Sequence, residues 1–179
     1  MTDAMASPAP LSAPLPAQFA LMARYNRWMN EKLYAICADF PDADRKQDRG
    51  AFFKSIHGTL NHLLFGDLVW MARFQQREVP DRIIAELHAD FGELHAAREA
   101  MDARILDWTA TLDAAWLAAP FAYRSNVDGR TRTMPAWVLV THLFNHQTHH
   151  RGQLTTLLSQ AGIDPGDTDL PFLPEFAAA

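Results

Sequence analysis

Apolar residues recur every three or four positions along four long stretches of this sequence, a period that fits helices and excludes strands. In the first, Met22, Tyr25, Met29, Leu33, Ile36 and Phe40 fall on one helical face, opened by Pro16 and ended by Pro41. A charged linker, residues 42–49, leads to a second helix expected over about residues 50–75. A third is expected over about residues 81–112, where Ile84, Leu87, Phe91, Leu94, Met101, Ile105 and Trp108 keep a heptad-like spacing. The fourth begins near Thr133 and Pro135, a capping residue and a first-turn proline, and ends at Gly162, which suits a left-handed cap.

Residues 113–133 lose the helical period. Phe121-Ala122-Tyr123 and Thr131-Arg132-Thr133 flank Asp128-Gly129, a pair suited to a turn with positive φ, so a short β-hairpin is expected there. Four long helices joined by one long connection pack most economically as an all-α four-helix bundle. Residues 1–15, rich in alanine and proline, read as a flexible arm. Residues 16–179 read as a single domain whose tail lies across the bundle through Leu170, Phe172 and Phe176.

Composition removes several functions. The net charge is -5 over 179 residues, and the densest basic stretch, Arg45, Lys46 and Arg49, is offset by Asp42, Asp44 and Asp48. A nucleic-acid face needs a local cationic excess, so DNA binding is disfavoured. No apolar run of 18 residues occurs, and the N-terminus lacks the cationic start and apolar block of a signal peptide. A cytoplasmic protein is expected. The one cysteine, Cys37, lies beside Ile36 in an apolar helical stretch and reads as a small buried hydrophobe.

The histidines carry the chemical signal. The fourth helix contains His142, His146, His149 and His150. Residues four apart on a helix differ by about 40° in direction, so His146 and His150 can grip one ion, but so can His142 and His146. The apolar stripe of Leu139, Leu143, Leu154 and Leu157 separates these pairs: His150 lies within it, whereas His142 and His149 lie toward its edge. Imidazoles on an apolar face need partners for both ring nitrogens, and either a metal or ordinary carbonyl and carboxylate acceptors can supply them. On the second helix His62 is the best third candidate, because Gly58 and Gly66 one turn before and after it would leave room for another helix. His57 points about 140° away from His62. Boundary positions account for His88 and His95.

Three blocks of sequence then resemble a known family. They are Tyr25-Asn26-Arg27-Trp28-Met29-Asn30, the stretch from Thr59 through His62 to Asp67 with Trp70, and the stretch from His142 through Asn145-His146-Gln147-Thr148-His149-His150-Arg151-Gly152 to Gln153. Together they are similar to the DinB-like family of small damage-inducible metalloproteins, over about residues 16–173. The resemblance implies a four-helix bundle with a divalent metal on one histidine of the second helix and two, four apart, on the last. Those positions are His62, His146 and His150.

Three neutral nitrogen ligands suit zinc or nickel and leave a coordination place open, whereas magnesium and calcium prefer oxygen. Relatives in the wider family use low-molecular-weight thiols, so the resemblance implies a metal-dependent thiol S-transferase or a hydrolase acting on a small molecule. Homodimers are also common among them. The competing expectation is a non-catalytic metal-binding stress-response protein. No general base stands out: Asp67 points about 140° from His62, and Arg151 about 140° from His146. Gln153 faces the site and would orient water or an imidazole. Asn26 and Asn30 would join it if their face of the first helix lined the pocket.

Overall fold

The computed structural model describes residues 15–79 and 86–176. The expected N-terminal arm therefore lies outside the described residues, apart from its last position. Four long helices, α1 (Leu15–Ala38), α3 (Ile56–Phe74), α4 (Phe91–Thr109) and α6 (Ala136–Gln160), form the bundle. α1 packs against α4 and α6, and α3 packs against the same two, so α1 and α3 sit on a diagonal. A short α2 (Asp42–Lys46) lies in the charged linker, and α5 (Ala114–Ala118) precedes the hairpin of β1 (Pro120–Arg124) and β2 (Thr131–Pro135). The strands are antiparallel, with Ala122 opposite Thr133 and Arg124 opposite Thr131. Gly129 has a φ of 68°, the positive value expected of the turn. The all-α bundle with a short hairpin is thus the observed fold.

Helix boundaries differ from the periodicity for identifiable reasons. α4 begins at Phe91, not near Asp81, because Asp90 caps it: its Oδ1 accepts the Glu93 N–H at 2.9 Å. Leu87 and His88 precede that cap in a non-helical segment, where both backbone N–H groups donate to Asn61 Oδ1 at 2.8 and 3.0 Å. Leu87 keeps the apolar period yet packs on the core from a loop. Asp81 and Ile84 lie outside the described residues. α3 starts at Ile56, where Ser55 accepts the Gly58 N–H at 3.0 Å, and residues 50–55 form a turn instead of a helical start. Thr133 belongs to β2, and α6 follows it directly from Ala136. α6 does close at Gly162 (φ 82°), with the Ile163 N–H returning to Leu158 O at 3.0 Å. In the tail Leu173 is the buried anchor, whereas Phe172 and Phe176 remain about half exposed.

The core is aliphatic and aromatic, and it encloses Cys37, whose thiol burial pushes up to about 12, as an inert hydrophobe would be. It also encloses charge. Arg98 of α4 donates to Asp67 of α3 at 2.7 Å and to Asp102, one turn along its own helix, at 2.8 and 3.1 Å. Asn30 and Asn26 of α1 donate to Asp102 at 2.9 and 3.3 Å, and Arg151 of α6 donates to Asn26 Oδ1. All six side chains are buried. Burial works against the Arg98 charge, but Asp67 and Asp102 more than offset it and hold the guanidinium firmly protonated. Burial also raises both carboxyl groups, Asp102 to about 6, against the pull of Arg98.

Breaking such a pair from one side leaves buried charge uncompensated. Arg98→Met is therefore expected to destabilise the protein by about 3–5 kcal/mol, read from its urea midpoint at unchanged slope. A loss under about 1 kcal/mol would mean that Asp67 and Asp102 find other partners or take up protons at little cost.

Candidate metal centre

α3 presents His62 toward α6, which presents His146 and His150 one turn apart. The three Nε2 atoms form a nearly regular triangle: His62 lies 3.2 Å from His146 and 3.1 Å from His150, and these two are 3.1 Å apart. Hydrogen bonding among the rings cannot account for it. A neutral Nε2 either donates or accepts, so with any choice of tautomers at least one of the three pairs sets like against like. One cation resolves all three contacts, because each nitrogen then offers its lone pair to the same centre. The triangle's centre lies about 1.8 Å from each nitrogen, inside the 2.0–2.1 Å of a zinc–imidazole bond, so an ion just off the plane reaches all three. Among the described residues, no other group of histidine, cysteine and carboxylate side chains converges this way.

The surroundings hold the rings neutral and fixed. Burial, followed by the proximity of His150, pushes His62 down to about 4, and burial with the neighbouring histidines pushes His146 to about 3. Burial likewise lowers His150, although Gln153 works against it. Neutral imidazole is the form that binds metal. Gln153 Oε1 lies 2.8 Å from His150 Nδ1, which fixes the tautomer that leaves Nε2 free for an ion. Gln153 thus holds an imidazole, one of the two roles expected of it. Phe53 stacks on the His62 ring, with centroids 3.8 Å apart and planes 17° apart, and meets His150 edge-on at 5.3 Å.

Of the two glycines flanking His62, only Gly66 makes room for the site. A Cβ there would lie 2.6 Å from His146 Cε1 and 3.0 Å from its Nδ1, so α6 can bring His146 this close only because residue 66 has no side chain. Gly58 instead accommodates the Phe53 carbonyl, which a Cβ built on residue 58 would overlap, where the chain turns into α3.

The remaining expectations divide. Asp67 and Arg151 face away from the triangle, into the charged core. Asn26 and Asn30 do so as well, so the condition on which they would join the pocket is not met: their face of α1 meets Asp102 of α4. His57 Nε2 sits 2.9 Å from His88 O, and His95 stacks on Tyr34 at 5.1 Å. His142 lies outside the triangle, edge-on to Trp70 at 5.0 Å, and His149 lies beside His150, 4.8 Å between ring centroids.

His142 and His146 open onto a cleft of about 270 Å³, walled by His62, Trp70 and Tyr123 and by Asn126 and Val127 of the hairpin loop. Sequence reasoning missed the hairpin-loop part of this wall, Asn126 and Val127, and Phe53 alike. Both lie in connections, where no periodicity indicates which way a side chain points.

Gly66→Ala separates folding from site formation. Alanine favours the helix by about 1 kcal/mol over glycine, yet its methyl group would displace the His146 ring. The variant is expected to keep its far-UV circular dichroism and its cooperative melting while taking up much less zinc in equilibrium dialysis. Wild-type uptake would show that α6 shifts freely at this point.

The sequence model of the DinB family matches residues 13–178. Protein DinB of Bacillus subtilis (strain 168) is similar to this chain, at 27% identity over 152 residues, which cover 81% of this chain and 87% of that protein. The family match leaves almost none of the sequence outside it, and the chain belongs to the DinB family.

Proposed function

We propose that the protein is a metal-dependent enzyme that binds zinc or nickel through His62, His146 and His150 and works on a low-molecular-weight thiol, as a thiol S-transferase. The observation that carries this reading is a triangle of three neutral imidazole nitrogens at the wall of a cleft. Structural zinc sites are closed by four protein ligands, whereas catalytic ones use three and keep a position for water or substrate. Here three histidines converge and, among the described residues, no fourth histidine, cysteine or carboxylate joins them. An ion held there would act as a Lewis acid, lowering the pKa of a thiol or water in the open position.

The chain's own residues supply the rest. Gln153 keeps the His150 ring oriented, and Phe53 covers the His62 face and restricts water on that side. Trp70, Tyr123 and Val127 give the cleft an apolar lining suited to the organic part of a substrate. Hydrolysis is the second reading, since the same open position takes water. Among the described residues no carboxylate lines the cleft to act as its base, and thiol transfer needs none once the thiol is ionised. A cytoplasmic setting accords with a single buried cysteine and a thiol co-substrate.

Elemental analysis of untagged protein should find about one divalent ion per chain, and none in His62→Ala, His146→Ala or His150→Ala. A stoichiometric ion retained in any of these would overturn the ligand set. Cobalt-substituted protein should develop a sulfur-to-metal charge-transfer band on adding a small thiol. If chelation lowers the melting temperature strongly and no thiol ever reaches the cobalt, the ion is structural and the enzyme reading fails.

A further inference from the structure

The cleft at the histidines continues into a larger one, of about 520 Å³, with which it shares Arg73, Tyr123, Ser125 and Asn126. The second cleft is cationic. Arg73, at the end of α3, lines it together with Arg77 just beyond that helix and Arg124 at the end of β1. Among the described residues no carboxylate forms an ion pair with any of the three. In a chain of net charge -5, three unneutralised arginines around one opening form a local reversal of sign.

Arg73 is built into its place. Its guanidinium lies over the rings of Trp70 and Tyr123, 4.5 and 4.9 Å from their centroids. One terminal nitrogen donates to Arg124 O at 3.0 Å and to Asn126 Oδ1 at 2.9 Å. Those two bonds use both hydrogens of that nitrogen, and the other three N–H donors have no acceptor among the described residues. The guanidinium is therefore fixed in orientation, half-buried and, among the described residues, without a carboxylate partner, the state that favours capture of an oxyanion. Arg77 lines the same opening where α3 ends. Gln76 closes α3 in the left-handed region, at φ 53° without being glycine, and the Arg77 N–H returns to Ala72 O at 2.8 Å.

We infer that the molecule handled at the histidine triangle carries a carboxylate or phosphate, and that Arg73, assisted by Arg77 and Arg124, binds that oxyanion. This rests on the thiol reading for the end of the molecule that meets the metal. Helix geometry also sets a length. Gly66, which faces His146, and Arg73 are seven residues apart on α3, about 10 Å along the axis. A ligand touching both ends must span roughly that distance.

The test uses the full cobalt-substituted protein and two pairs of probes, with dissociation constants read from the charge-transfer band. 8-Mercaptooctanoic acid spans the gap, and 8-mercaptooctanol is its uncharged counterpart. 3-Mercaptopropionic acid and 3-mercaptopropanol are too short. The long acid is expected to bind about ten- to a hundredfold more tightly than the long alcohol, the worth of a charge-assisted hydrogen-bonded contact. The short pair should show little difference.

Arg73→Gln should bring the long acid-to-alcohol ratio close to one. The doubly substituted Arg77→Gln, Arg124→Gln protein, altered only at exposed positions, should reduce it without affecting folding. Equal binding of the long acid and alcohol overturns the oxyanion site but leaves the thiol reading intact. If no thiol reaches the cobalt, the thiol reading fails instead, and a separate measurement decides the oxyanion site. Inorganic phosphate titrated into the protein should shift the Arg73 Nε–H resonance saturably. Absence of that shift overturns the proposal.

Discussion

One buried hydrogen-bonded network touches all four long helices: Asn26 and Asn30 from α1, Asp67 from α3, Arg98 and Asp102 from α4, and Arg151 from α6. Aliphatic packing alone tolerates small slides of one helix along another, because one apolar contact substitutes for the next. A guanidinium held by two carboxylates does not. A slide of one turn would strand an unpaired charge in the core at a cost far above that of a mismatched leucine. Gln147, which donates to Leu63 O at 3.1 Å, adds a further fixed point between α3 and α6.

That register serves the histidines directly. Asp67 follows Gly66, and Arg151 follows His150, so the residues that lock α3 and α6 in the core are chain neighbours of those that build the site. Consecutive helical residues point about 100° apart. One face of each helix therefore reaches the charged interior while the next reaches the cleft. The Nε2 triangle, with sides of 3.1–3.2 Å, depends on this alignment and on the missing side chain at Gly66.

The hairpin completes the functional surface. Its strands are too short to be stable alone, but β2 runs straight into α6 and β1 follows α5, so the bundle holds both ends. Tyr123 is thereby fixed against Trp70 at 5.1 Å between ring centroids, and the two rings carry Arg73. The three-histidine wall and the cationic mouth are set side by side by this one connection.

The sequence by itself determined the helical class, the hairpin at Asp128-Gly129, the left-handed stop at Gly162 and the inward direction of His146 and His150. Each of these follows from periodicity or from the backbone preference of one residue, and both act over a few positions of chain. It also marked His62 through Gly58 and Gly66, because a glycine inside a helix needs a reason, although only Gly66 proved to serve the site. Only the tertiary structure decided that α4 begins at Phe91, that Asn26 and Asn30 serve Asp102 and not the histidines, and that Phe53 and the hairpin loop cover the site. Those outcomes depend on which helices become neighbours and on where connecting segments come to rest. That pairing is a sum of many weak contacts between residues distant in sequence, and no local pattern encodes it.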